Sequence, residues 1–328
     1  MDNKMIAAVV AVVVIVAAGV GAFIIMNNNN GGSDYGTVEV VTPLDYSGQN
    51  YATQYYDKVP ERVVCGCNTA LNLLLYLGLG DKIIGCYYME EEVWDEVADE
   101  YAKLQKRIGS DRILTGNIDQ ATLTSWEPDC VIAWVAWTEN KLGTPEYWNA
   151  LGCNVWSLRT MTDKQTMEGM ELDYKNIGAV FDVSKKTDSF MKDFKEEVAS
   201  LQGILAESSK GVAINDGGIN ESKGTMWFYD TGDYIGYLLD YLGMDLAIAG
   251  SVDLAQAYEK CGEIDVLFLV CYGDVTYEGT LAEWKADSVL KNTPAIVNNN
   301  TLPIKLSVAY GADPSMSDVV DYLVELLS

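Results

Sequence analysis

Short β-rich apolar runs separated by helical stretches, set twice along the chain on either side of one long amphipathic segment, constrain this sequence more than any other feature. The first set is Arg62–Cys67 (RVVCGC), Lys82–Tyr87 (KIIGCY), Asp129–Trp134 (DCVIAW) and Asn154–Leu158 (NVWSL). The second is Gly211–Asn215 (GVAIN), Asp265–Cys271 (DVLFLVC) and Ala295–Asn298 (AIVN). Thr69–Leu77 reads as a helix behind the first strand, and Tyr234–Leu242, Leu254–Lys260 and Ser317–Leu327 read as helices of the second set. Strands spaced in this way need crossover helices, so each set predicts βαβ units and a mostly parallel sheet. The expected fold class is α/β with two Rossmann-like lobes, and 328 residues suit two lobes at roughly 100–200 residues each.

Between the sets, Phe190, Phe194, Val198, Leu201 and Leu205 recur at helical spacing, with Ser184 as the expected N-cap. The 24 residues from Ser184 to Glu207 would extend about 36 Å at ~1.5 Å each. Such a helix either runs the height of two lobes and fixes their separation or lies on the surface of one.

Ahead of the body, the 22 residues Met5–Met26 carry no charged or strongly polar side chain. As a helix they would span about 33 Å, close to the ~30 Å hydrocarbon core. Lys4 precedes the run and Asp34, Glu39 and Asp45 follow it, which orients the body outside. An uncleaved anchor is favoured over a cleaved signal peptide, whose apolar core is shorter. Both readings export the body, and the expected location is the cell surface, anchored to the cytoplasmic membrane by residues 5–26. Asn27–Asp34 (NNNNGGSD) reads as a flexible tether. The expected division is therefore 1–33 anchor and tether, 34–183 N-terminal lobe, 184–207 interlobe helix and 208–328 C-terminal lobe.

Side-chain chemistry narrows the function. The chain has no histidine, which removes Ser-His-Asp and Cys-His nucleophile systems, histidine-ligated haem and most zinc sites. Its net charge of −26 and its lack of a basic stripe argue against nucleic acid. Of the seven cysteines, Cys86, Cys130 and Cys271 fall in or at the ends of apolar strand runs and read as small buried hydrophobes. Cys65-Gly66-Cys67 lacks the second thiol pair that a strong metal motif would have. An exported metal-dependent enzyme would have to rely on Cys65 with Cys67 or Asp216 with Glu221, and no G-x-S-x-G, H-E-x-x-H or Walker-type loop is present. No catalytic residue, protein-held metal or cofactor is expected.

A series of segments runs Pro60-Glu61-Arg62-Val63-Val64, then Leu71 through Leu77-Gly78-Leu79-Gly80-Asp81-Lys82-Ile83-Ile84-Gly85, then Gly116-Asn117-Ile118-Asp119. It continues with Trp126-Glu127-Pro128-Asp129-Cys130-Val131-Ile132, Ile177–Phe181, Leu238–Gly243 and Ile264–Leu269. In residues and in order this series resembles the iron-siderophore and cobalamin substrate-binding proteins of ABC importers. The resemblance implies two α/β lobes joined by one long helix, with ligand held in a cleft between them (the class III periplasmic-binding-protein arrangement). It implies a monomer that hands an iron(III)-siderophore-type chelate to an ABC permease and its ATPase subunits, with a corrinoid such as cobalamin as the alternative ligand. In that family an acidic residue on each lobe docks on the permease. Asp119 stands where glutamate is usual, and the second lobe offers Asp233 or Asp240 instead of a glutamate.

Ligands of open α/β sheets gather beyond the carboxyl ends of strands. Those ends carry Asn68 and Thr69 at a helix start, then Tyr87 and Tyr88, Trp134 and Trp137, and Arg159. In the second half they carry Trp227, Tyr229, Tyr272 and, in a late loop, Tyr310. Stiff aromatics bury about 150–250 Å² each at low entropic cost, which suits a bulky rigid chelate that brings its own metal ligands. Arg159 is expected either to fork onto a ligand oxygen or to form a structural ion pair. The resulting expectation is capture without chemistry, with little hinge closure.

Overall fold

The structure is a computed structural model that describes residues 35–45, 48–87, 93–115, 119–134, 142–162, 165–205, 210–220 and 222–327. The expected anchor at residues 5–26 lies outside the described residues, as do Tyr88 and Trp137. No helix among the described residues is long and apolar enough to cross a membrane.

Two strands absent from the apolar-run reading come first. β1 (Val38–Pro43) and β2 (Tyr51–Tyr56) form an antiparallel hairpin. The hairpin is fastened beside the first sheet by Ser157 N donating to Thr42 Oγ1 (2.8 Å) and Asn154 Nδ2 donating to the Tyr55 carbonyl (2.7 Å). The sheet itself holds β3 (Val63–Gly66), β4 (Ile83–Tyr87), β5 (Ile113–Leu114), β6 (Cys130–Ala133) and β7 (Asn154–Ser157). All its pairings are parallel, in the order β5-β4-β3-β6-β7. Each apolar run of the first set thus becomes a buried strand, as sheets covered on both faces demand.

The second sheet contains β8 (Gly211–Asn220), β9 (Thr225–Phe228), β10 (Asp245–Leu246), β11 (Gly250–Asp253), β12 (Val266–Cys271) and β13 (Thr301–Lys305). Its path is β11-β9-β8-β12-β13, with β10 beside the first residues of β8. β8, β12 and β13 run parallel, while β9 and β11 add an antiparallel edge. Of Ala295–Asn298, expected as a strand, the first three residues instead lie in the short helix Pro294–Val297 and Asn298 caps its end. Proline at its first turn is preset for a helix and has no N–H to give to a ladder, and the strand forms at Thr301–Lys305.

The long helix runs from Ser184 to Leu205, 22 residues and about 33 Å. Ser184 is its first residue rather than its cap, because the Val183 carbonyl already accepts from Thr187 N. At one end Lys186 Nζ donates to the Leu77 carbonyl (2.6 Å) in the N-terminal half, and at the other Gln202 Nε2 donates to the Tyr241 carbonyl (2.7 Å) in the C-terminal half. Its apolar stripe is buried: Phe190 stacks on Tyr174 at 4.9 Å and on Phe194 at 6.1 Å, and Leu201 is fully enclosed. Each such side chain contributes about 1.5–3 kcal/mol through burial. One apolar core runs continuously from the inner face of the first sheet, past this helix, to the inner face of the second.

A second tie returns from the C-terminal half. After β13, residues 305–318 are hydrogen-bonded repeatedly to the N-terminal half. Lys305 Nζ donates to the Val93 carbonyl (2.7 Å), Ala312 N to Thr160 Oγ1 (3.2 Å), and Tyr174 Oη to the Ala312 carbonyl (3.3 Å). Trp94 Nε1 donates to Asp318 Oδ2 (2.9 Å). The most enclosed of these bonds joins Asn72 Nδ2 to Asp313 Oδ2 (2.8 Å), whose other oxygen accepts from Ser315 N (3.0 Å) and Ser315 Oγ (2.7 Å). Gly311 is needed here, because a Cβ would sit 2.9 Å from Met161 Cγ across the junction.

Two further residues seen in the sequence find structural roles. The Arg62 guanidinium donates to the carbonyls of Trp126 and Glu127 (2.7 Å each), while Asp129 accepts from the Glu61 and Arg62 N–H groups (2.9 Å each). That pairing fixes the turn in which Glu127 holds a left-handed φ of 49°. The buried Asp173 carboxylate accepts from Arg159 N (2.7 Å), Thr160 N (2.9 Å) and Thr160 Oγ1 (2.8 Å). Burial nonetheless pushes its pKa up to about 6, against the pull of these bonds and of the Arg159 charge. All seven cysteines are free thiols, six of them buried, and burial raises those of Cys86 and Cys130 to about 12.

Two outcomes are expected. Asn72→Ala leaves the Asp313 carboxylate buried without its cross-half donor, which should lower stability by about 1.5–3 kcal/mol in chemical denaturation. Asp173 holds a proton in the folded chain between about pH 4 and 6 that the unfolded chain, with the ordinary value near 3.8, has released. Its contribution to stability therefore falls as pH rises through that window. Unfolding free energies measured from pH 4 to 7 should show a negative slope that is reduced in Asp173→Asn.

Candidate functional site

The carboxyl ends of β3, β4 and β6 converge on one cavity of about 100 Å³ that the C-terminal half closes. Gly66, Cys67, Asn68 and Thr69 line one wall. Tyr87 follows β4, Trp134 follows β6, and Leu306, Ser307 and Tyr310 approach from beyond β13. Parallel pairing sets these ends side by side, so residues distant in sequence meet through sheet register alone. The helix Asn68–Tyr76 begins here with no side chain capping its first turn, which aims the positive end of its dipole at the cavity.

Behind Tyr310 lies a cluster of phenols around one carboxylate. Gly217 and Gly218, with φ of 70° and 72°, make a bulge in β8 that shifts its register against β9 and interrupts the ladder between Asp216 and Ile219. Tyr229 Oη donates to Asp216 Oδ2 (3.3 Å), and the Tyr272 hydroxyl hydrogen-bonds the same carboxylate. The rings of Tyr229 and Tyr310 meet edge-to-face at 5.6 Å with their hydroxyls hydrogen-bonded, and Trp134 lies 6.3 Å from Tyr310 across the junction. Burial raises the Asp216 carboxyl and pushes Tyr272 up to about 12, the negative charge of Asp216 adding to the latter. Trp227 pairs with Asp216 in the β8–β9 ladder, so both side chains stand on one face, and Trp227 is 47% exposed.

Of the residues expected from sequence, Asn68, Thr69, Tyr87, Trp134 and Tyr310 line the cavity, and Tyr229, Tyr272 and Trp227 belong to the adjoining cluster. Arg159 does not line the cavity. It is buried, with its guanidinium 5.2 Å from the Tyr51 ring centre and its charge acting on Asp173. Asp119 is exposed and caps the helix Gln120–Ser125 through Thr122 N (2.9 Å) and Thr122 Oγ1 (2.6 Å). Asp233 is half-buried within electrostatic reach of Asp216, Tyr229 and Tyr310, whereas Asp240 is exposed farther along the same helix.

Sequence reasoning missed Met161, Leu306 and Ser307. Ser307 is 4% exposed, and its hydroxyl has no hydrogen-bond partner. Placing the last strand at Thr301–Lys305 would have set Ser307 at a strand end, where the same rule picks out ligand-facing residues. Asp216 was weighed only as a partner of Glu221, which lies outside the described residues. A larger hollow of about 650 Å³ lies between the helix Met167–Val180 and the long helix. It is an open groove of mixed charge spanned by the Lys195–Glu171 ion pair and touches no strand end. Among the described residues no group of three or more His, Cys, Asp or Glu side chains gathers to hold a metal.

No protein-family model matches the chain, and no curated protein matches it in sequence. Solved structures do match. A periplasmic binding protein from Veillonella parvula superposes with a TM-score of 0.76 at 18% identity, covering 89% of this chain and 91% of that one. A protein of an ABC-type Fe3+-hydroxamate transport system from Saccharomonospora viridis gives 0.67 at 18% identity, covering 88% and 97%. The petrobactin-binding protein from Bacillus subtilis gives 0.66 at 17% identity, covering 88% and 99%. The chain thus superposes along nearly its whole length on these structures, and the protein has the periplasmic-binding-protein fold.

Proposed function

We propose that this chain is the extracytoplasmic substrate-binding component of an ABC importer, and that it captures a bulky metal chelate of the ferric-siderophore type between its two lobes. The observation that carries this reading is the aromatic lining contributed by both halves to one strand-end cavity, with Trp134 facing Tyr310 across the junction. Solved proteins of the same fold, one described as of an ABC-type Fe3+-hydroxamate transport system and one as petrobactin-binding, support it.

The cavity of about 100 Å³ is smaller than the ~300–1,000 Å³ of ordinary ligand pockets. It takes one edge of the chelate, while the remainder rests against the exposed face of Trp227. Aromatic faces desolvate the ligand, hydroxyl groups give it directional bonds, and no covalent step is involved. Residues 5–26 hold the protein at the outer face of the membrane, and the exposed carboxylates of Asp119 and Asp240 are its contacts with the permease.

Titrating the full-length chain in mild detergent with a panel of ferric chelates and with cobalamin, read by tryptophan fluorescence, tests this function. One ferric chelate should quench saturably at micromolar concentration or below. Trp134→Ala and Trp227→Ala should each weaken it about 5–10-fold, while Tyr147→Ala, remote and exposed, should not. Saturation by cobalamin alone would move the ligand to the corrinoid class, and no saturable binding by any of them would overturn the function.

A further inference from the structure

Two donors from opposite halves of the chain meet at the wall of the strand-end cavity. The first belongs to the helix Asn68–Tyr76, whose hydrogen-bond ladder opens with Leu71 N donating to the Cys67 carbonyl (3.1 Å). The Thr69 N–H lies ahead of that bond, in a first turn that no side chain caps, and Thr69 lines the cavity. The second is the hydroxyl of Ser307. This residue also lines the cavity and is 4% exposed, and its hydroxyl has no hydrogen-bond partner. The two residues touch, because Thr69 Oγ1 donates to the Ser307 carbonyl (3.4 Å). Native folds leave few buried polar groups unpaired, so an unpartnered hydroxyl beside a cavity marks a bond that a bound group supplies. A serine hydroxyl turns about one bond between staggered positions, so it follows an acceptor lodged in the cavity that Ser307 lines.

Charge and volume narrow what that acceptor is. The chain carries a net charge of −26, yet among the described residues none that lines the cavity is acidic or basic. An anion there meets no carboxylate in the wall, and its charge is answered by the helix dipole and by hydrogen bonds rather than by an ion pair. The cavity of about 100 Å³ has the room of about three water molecules at ~30 Å³ each. That admits a carboxylate on a short arm and excludes the body of a chelate.

We propose that the Thr69 N–H and the Ser307 hydroxyl form a subsite for a carboxylate that projects from the chelate on a short arm and takes no part in holding the metal. This inference rests on the cleft taking a ferric chelate. A carboxylate has only acceptor oxygens, so one oxygen takes the N–H from the first half and the other the hydroxyl from the second. The arm bridges the halves where Thr69 and Ser307 already meet, while the aromatic faces take the apolar body. No covalent bond forms or breaks. A primary amide in the same place is uncharged and turns an NH₂ group toward donors, so the subsite selects acid arms over amide arms.

The test uses two ferric chelates, a linear trihydroxamate and a tricatecholate, each made with a two-carbon side arm ending either in a carboxylate or in a primary amide. Each is titrated into the full-length chain in mild detergent and read by tryptophan fluorescence. On the scaffold that binds, the carboxylate form should bind about tenfold tighter than the amide form. Ser307→Ala should bring the two forms within about twofold of each other by weakening the carboxylate form alone. It should not lower the melting temperature of the unliganded chain, because the hydroxyl it removes makes no bond there. Tyr147→Phe should leave the tenfold preference unchanged. Equal binding of the two forms, or a preference that survives Ser307→Ala, overturns the subsite and leaves the receptor function standing. No saturable binding of any of the four overturns both. The comparison of arms on the unmodified chain decides the matter even if the variant does not fold.

Discussion

The Asn72–Asp313 hydrogen bond is the hinge on which the architecture depends, because it joins the helix behind the first strand to the segment that leaves the last one. Asp313 is fully buried, so its carboxylate is tolerable only while Asn72 and Ser315 supply donors. Those donors come from both halves of the chain, which makes proper seating of the two halves a condition of satisfying the charge. Burial raises the Asp313 carboxyl in the folded chain, the cost that these donors offset.

From that junction the rest follows in order. The segment 305–318 is drawn across onto the N-terminal half, and it brings Ser307 and Tyr310 against Thr69 and Trp134. The long helix fixes the separation at the opposite side through Lys186 and Gln202, and its stacked Phe190 and Phe194 join the two inner sheet faces into one core. Two ties on a shared core resist large rotation, so ligand capture of the kind proposed relies on a preformed wall. Preorganisation of this kind lowers the ordering cost of binding.

Much of this was legible because parallel strands buried on both faces announce themselves as apolar runs. Val63, Ile83, Val131 and Leu267 could be placed without knowing their partners, and the strand-end rule then selected Asn68, Thr69, Tyr87 and Trp134. Elements with one wet face were harder. The second strand of the hairpin, residues 51–56, has Gln54 and Tyr56 inward and Tyr55 outward, and its short polar run (YATQYY) resembles loop. At Ala295–Val297 a short apolar run fitted strand and helix equally, and Pro294 decided for helix. The Asp216 cluster was invisible for another reason. Its three tyrosines are far apart in sequence, and a glycine bulge, rather than any periodicity, turns the carboxylate toward them.

The central claim is that a chelate sits between the halves against a wall that is already built. Hydrogen–deuterium exchange with and without the chelate selected by titration tests it most directly. The account predicts new protection at residues 66–69, 227–233, 272 and 306–310, with the long helix 184–205 and the segment 311–318 unchanged. Protection centred on the groove between residues 168–175 and 188–196, or a broad change along the long helix, would contradict it.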